Sequence, residues 1–180
     1  HSRVGDSLTF SLGLPLAQYP PERAVMPPAE ILAEEQARSF AAFDYATAWQ
    51  LGAAMREIAA RDNLPVAIEV THGTALVFFA LMPGATPDNP DWTRRKRATA
   101  LRFHRSSLYM RLLCEAEGVD FNARYRLPPA DFVASGGAVP ILVQGSGVVG
   151  CAAVSGLPDV ADHRLVLRGL TACIELAQAR

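Results

Sequence analysis

A layered α/β fold built on an antiparallel sheet is what this chain predicts, and three observations predict it. Residues 66–71 and 74–82, and later 138–143 and 148–155, are paired apolar, β-branched runs joined by tight turns, which is the pattern of two hairpins. Each hairpin is followed by a stretch with apolar residues at helical spacing. Finally, Gly145–Gly150 matches G-x-G-x-x-G but runs into VVGCAAV, a strand-forming run, so the glycines serve a hairpin and not a dinucleotide-binding turn. Hairpin pairs imply an antiparallel sheet of about four or five strands flanked by helices, as opposed to a doubly wound parallel one.

Taken in order, residues 1–29 hold a cluster of prolines and no sustained period, and read as an extended N-terminal arm. Residues 30–180 read as a single domain, long enough to bury most of its apolar surface. A short helix is expected after Pro28, because proline suits a first turn and Glu30 favours its positive end. Ser39 to Phe43 is a candidate edge strand. Asp44 is a candidate N-cap, and Ala48, Leu51, Met55, Ile58 and Ala59 then recur on one helical face. The first hairpin turns at His72-Gly73. After the loop PGATPDNP, one long helix is expected from Asp91 or Trp92 to about Glu117, closed by Gly118. The second hairpin turns at Gln144–Gly147, and a last helix from Asp159 puts His163, Val166, Leu167, Leu170 and Cys173 on one face.

Composition narrows the function classes. A formal net charge of -1 gives no global field for nucleic acid or an anionic membrane. No run approaches the roughly 18 apolar residues of a spanning helix. Three scattered cysteines, Cys114, Cys151 and Cys173, suit a reducing cytosol better than a disulfide framework. A cytoplasmic protein is therefore expected, with no secretory signal, nucleic-acid partner or membrane partner.

Few residues carry chemistry. Arg94-Arg95-Lys96-Arg97 looks like a basic patch, but on a helical wheel Arg94, Arg97, Arg102 and Arg105 share one side. Trp92, Lys96, Thr99, Phe103, Ser107, Met110 and Cys114 share the other. An inward lysine must be paired or meet an anionic ligand, since burying a bare ammonium costs several kcal/mol. Asp162 or Glu69 are the candidate partners, and a structural pair and a pocket role both stay open. Asp162-His163 sits at the join of the last strand and helix, where unpaired N–H groups suit an anion. His163 points along the apolar face, as a core residue or as a ligand. No metal-ligand spacing and no nucleophile elbow is present.

Five stretches together resemble a known family: Asn63–Ile68, Pro87–Trp92 running into Arg94–Arg97, Arg105–Ser107, Gly136–Ile141, and Val154–Pro158 with Asp162-His163. They resemble the small haem-degrading-domain proteins related to GlcG and HbpS, in their cytosolic branch of unsettled chemistry. The resemblance covers about residues 30–178 and implies a profilin-like α/β/α layering and homo-oligomers built from dimers. It also implies a pocket bordered by a lysine-alanine-x-threonine-alanine helix motif, approximated here by Lys96, Ala98, Thr99 and Ala100. Some relatives bind haem, so haem is a possible cofactor, although no haem-ligand motif carries over to a residue of this sequence. The expected site is thus Lys96, Thr99, Gly136, Gly137 and His163, with Trp92, Ser107 and Asp162 as secondary candidates, around a small anionic molecule. A haem-degrading enzyme and a scaffold without a small-molecule site are the alternatives.

Overall fold

Five strands and six helices arise from residues 26–180, the part of the chain that the computed structural model describes. The expected arm over residues 1–29 lies outside the described residues except at its end, where Pro28 and Ala29 already belong to α1 (Pro28–Gln36). β1 is reduced to Ser39–Phe40. α2 (Tyr45–Arg61) starts where the sequence places it: the Asp44 carboxylate accepts the Thr47 N–H at 2.8 Å and caps the first turn. β2 (Ala67–His72) and β3 (Ala75–Leu81) form the first hairpin, turning through Gly73 at φ 57°, a left-handed conformation that favours glycine.

The single long helix expected from Asp91 to Glu117 is two helices, α3 (Asp88–Phe103) and α4 (Ser107–Ala116). His104 turns left-handed at φ 50°, and Ser106 then caps α4 by accepting the Tyr109 N–H at 3.0 Å. Glu35 of α1 holds the break by accepting the Ser106 N–H at 3.2 Å. A one-turn helix, α5 (Phe121–Tyr125), follows, capped by Asp120. β4 (Ala138–Val143), β5 (Gly147–Ser155) and α6 (Asp159–Gln178) complete the domain. The Gly145–Gly150 motif lies in the β4–β5 turn and the start of β5, as the strand-forming run beyond it requires.

The sheet order is β1-β4-β5-β2-β3. Its hairpin pairs and the central β2–β5 pair are antiparallel, whereas β1 runs parallel to β4, so the wholly antiparallel sheet is corrected at that edge. The reason is topological: β1 and β4 are far apart in sequence and joined by a long crossover, not by a turn. α2 and α6 cover one face, and Leu51, Met55, Ile68, Val70, Val139, Ile141, Leu165 and Leu170 fill the main core between them and the sheet. α3 covers β4, β5 and β2 on the other face. That face presents Ala138, Cys151 and Ala153 to Ala100, and such small side chains let the helix lie close. The layers are therefore helix, sheet, helix, and the C-terminal end of β5 brings α3 beside the start of α6.

Candidate functional site

Lys96 is carried on the sheet-facing side of α3, which places its ammonium over the last residues of β5. There it donates to Asp162 Oδ2 at 2.9 Å and to the Val154 carbonyl at 3.3 Å. Both side chains are almost fully withdrawn from solvent, at 3% and 1% exposure. Asp162 reaches this point because Gly156, Leu157 and Pro158 end β5 abruptly and start α6, so the first turn of the helix faces the strand end. Its other oxygen accepts the Leu157 N–H at 3.0 Å. Burial pushes the Asp162 carboxyl up to about 6, against the opposing pull of the Lys96 ammonium and the backbone N–H donors.

Gly137 makes the pair possible. Its φ is 135°, a conformation L side chains rarely adopt, and an added Cβ would collide with the Val154 carbonyl and sit 2.9 Å from Lys96 Nζ. Gly136 lies against the first turn of α6 and donates its N–H to Asp159 at 3.1 Å. Asp159 is also in an ion pair with Arg111 of α4 at 2.6 Å. A cavity of about 260 Å³ opens on this arrangement. Lys96, Asp162 and Asp159 line its charged side, Trp92 and Leu157 its apolar side, and Asn89, Ser135, Ser155 and Gly156 the remainder. Trp92 is fixed by donating to Asp88 at 3.0 Å and by the Arg95 guanidinium 4.2 Å above its ring. α6 has no side-chain cap, so its first backbone N–H groups add the positive end of a helix dipole to the same region.

The structure thus brings Lys96, Asp162, Trp92 and Gly137 together and sets three other expected residues apart from the cavity. Thr99 Oγ1 donates to the Val133 carbonyl and accepts the Val133 N–H, pinning the segment that leads into β4. Ser107 Oγ accepts the Ala138 N–H at 3.0 Å, which ties α4 to the start of β4. His163 is fully buried on the next face of α6, and neither ring nitrogen has a hydrogen-bond partner among the described residues. Burial and the nearby Arg164 and Arg38 charges push its ring down to about 3, so it is a neutral imidazole. Asn89, Ser135, Ser155 and Asp159 were not among the expected residues. For two of them a signal was present, because Ser135 and Ser155 directly precede the two glycine breaks that shape the site.

The arginines of the α3 basic run find carboxylates or rings. Arg94 pairs with Asp91 and Asp131, Arg95 with Asp91, and Arg97 with Glu69 at 2.6 Å, while Arg102 lies over Phe132. Glu69, the other candidate partner of Lys96, is thereby committed to Arg97. Among the described residues, no group of three His, Cys, Asp or Glu side chains is placed to hold a metal ion.

The family model for haem degrading HbpS-like proteins matches residues 43–171, from just before α2 well into α6. The chain belongs to this HbpS-like family. It is 45% identical over 142 residues to a UPF0303 protein of Paraburkholderia phymatum, covering 79% of this chain and 86% of that one. A UPF0303 protein of Rhizobium meliloti is 44% identical over 140 residues, covering 78% and 85%. Among solved structures, the Ybr137w protein superposes with a TM-score of 0.78 at 27% identity, over 85% of this chain and 90% of that one. HbpS itself gives a TM-score of 0.58 at 20% identity, over 72% and 89%, and the PduOC:heme complex gives 0.61 at 18%, over 73% and 94%. At that level of identity these last two show the fold alone, and it is the same five-stranded sheet between helices.

The family description implies haem, and the residues lining this cavity decide whether it fits. A haem iron needs an axial His, Cys, Met or Tyr, and none of the residues lining the cavity is of these types. Its volume also falls below the roughly 300–1,000 Å³ typical of sites for drug-sized ligands. The cavity beside Lys96 does not fit haem.

Proposed function

We propose that this HbpS-like protein is a self-associating binding protein for a small anionic organic molecule, held in the cavity beside Lys96. The observation that carries the reading is a buried ammonium on a cavity wall whose only anionic partner among the described residues, Asp162, is itself reluctant to ionise. A carboxylate or similar group entering there meets Lys96 and the open start of α6, with the Trp92 ring and Leu157 beside the apolar part of the molecule. Gly137, having no side chain, leaves the Lys96 ammonium room at the cavity wall. The reading places the protein in the cytoplasm, which is supported by three buried thiols that remain unpaired. Among the described residues no helix is long and apolar enough to cross a membrane.

Trp92 supplies the test. In a Trp49→Phe variant it is the remaining tryptophan, and its emission reports on the cavity. Titration with a panel of small mono- and dicarboxylates at pH 5.5 and 7.5 is expected to give a saturable change with at least one of them. No saturable change with any carboxylate at millimolar concentration overturns the reading and favours an assembly role without a ligand.

A further inference from the structure

The two edges of the sheet are built differently. β1, at one edge, is two residues long, and short edge strands are one way that proteins avoid unwanted pairing. β3, at the other, has seven residues, ALVFFAL, with neither charge nor proline. From Gly73 to Pro87 the sequence holds no charged residue at all. Natural sheets usually place a charge or a proline on such a strand, and here neither is found.

The register sharpens the point. Ala67 pairs with Leu81, Glu69 with Phe79, and Thr71 with Leu76, and partners in an antiparallel pair share a face. The irregularity at Val77 therefore puts Leu76 on the same face as Phe79 and Leu81. α3 lies over β4, β5 and β2 and stops short of β3, so this strip stays uncovered. Leu76, Phe79 and Leu81 are 56%, 44% and 51% exposed. Across the edge, on the α2 side, Trp49 and Tyr45 are 58% and 63% exposed, Trp49 edge-on to Phe78. Five of the seven large exposed apolar side chains among the described residues thus cluster along one strand edge.

We infer that this edge is the surface on which a second copy of the chain sits, with the two β3 strands facing each other across a twofold axis. The inference rests on the self-association proposed above and assigns its surface. An isologous contact needs a self-complementary patch, and an uncharged apolar strand meets its own copy without like-charge repulsion. The absence of charge over residues 73–87 also disfavours a charged partner. By area the patch suffices. The five side chains expose on the order of 500 Å² per copy, given 150–250 Å² for a buried aromatic, so a pair hides at most about 1,000 Å² through them, where specific interfaces begin.

The test measures mass in solution by light scattering for the wild-type chain and for Phe79→Lys and Leu76→Lys, with circular dichroism as a control for folding. The wild type is expected at a multiple of the 19.4 kDa chain mass, and each folded variant at half the wild-type value. Variants that keep the wild-type mass overturn the surface assignment while leaving self-association standing. A wild type that runs at 19.4 kDa overturns both. Should the lysine variants fail to fold, hydrogen exchange on the wild type decides: amides of β3 that point away from β2 are expected to be slow, and exchange at the rate of a free edge refutes the contact.

Discussion

Removing one member of the Lys96–Asp162 pair should cost far more than removing both. The two groups lie 2.9 Å apart with side-chain exposures of 3% and 1%. At that distance, with an effective dielectric of 20, their attraction is about 6 kcal/mol. Asp162→Asn keeps an acceptor for the Leu157 N–H but leaves the ammonium with the Val154 carbonyl alone. Lys96→Met leaves the carboxylate with backbone N–H donors and no cation. After local relaxation each single change is expected to cost about 3–5 kcal/mol. The double variant removes both desolvated charges together and should cost about 2 kcal/mol or less, giving a coupling energy of several kcal/mol. Urea unfolding of the four proteins at pH 7.5 measures the cycle. Strictly additive single costs, or single costs below about 1 kcal/mol as for exposed pairs, would refute the argument that the pair is desolvated and mutually dependent.

Four further outcomes follow from the same geometry. His163 is held neutral with its ring pushed down to about 3, so its contribution is lost as pH falls from about 6.5 toward 3. His163→Leu should therefore be relatively more stable than wild type at pH 5 by about 2 kcal/mol compared with pH 7.5; a pH-independent difference would show that the ring is free to charge. Asp162, raised to about 6, acts in the opposite sense: stability falls as pH rises from about 4 to about 6, and this slope should emerge in urea titrations of His163→Leu. Anion affinity at the cavity should rise as pH falls through about 6, by up to about tenfold per unit, because a neutral Asp162 releases Lys96 to the ligand; affinity independent of pH between 5 and 7.5 would separate Asp162 from binding. Gly137→Ala forces a side chain into φ 135° against Lys96 and Val154 and should cost about 1–3 kcal/mol, read as a lowered Tm.

Much of the fold was legible in local signals. Asp44 as a cap, the Gly73 turn, the strand-forming run after Gly147 and the start of α6 at Asp159 are decided by residues within a few positions of one another. The inward aspect of Lys96 was legible for the same reason, since helical spacing alone puts it with Trp92, Thr99 and Phe103. The break between α3 and α4 was not drawn, although Ser106 carried a capping signal, because its stabilisation includes Glu35, far away in the chain. β1 was too short for any periodicity to define it, and its parallel pairing with β4 depends on the whole intervening chain.

What the sequence by itself determined is therefore the elements, the layered class and the fact that Lys96 must find a partner. Which partner it finds was a tertiary decision. Asp162 and Glu69 are both carboxylates within reach of α3, and only the packing of α6 against the end of β5 gives Lys96 to one and Arg97 to the other. His163 shows the converse: adjacent to Asp162 in sequence, it is turned about 100° around α6 and enters the packed interior, while its neighbour reaches the cavity. The physical reason is the same in both cases. Local propensity and periodicity act through neighbours in the chain, whereas desolvation and charge pairing depend on which surfaces meet, and that is settled only when the layers close.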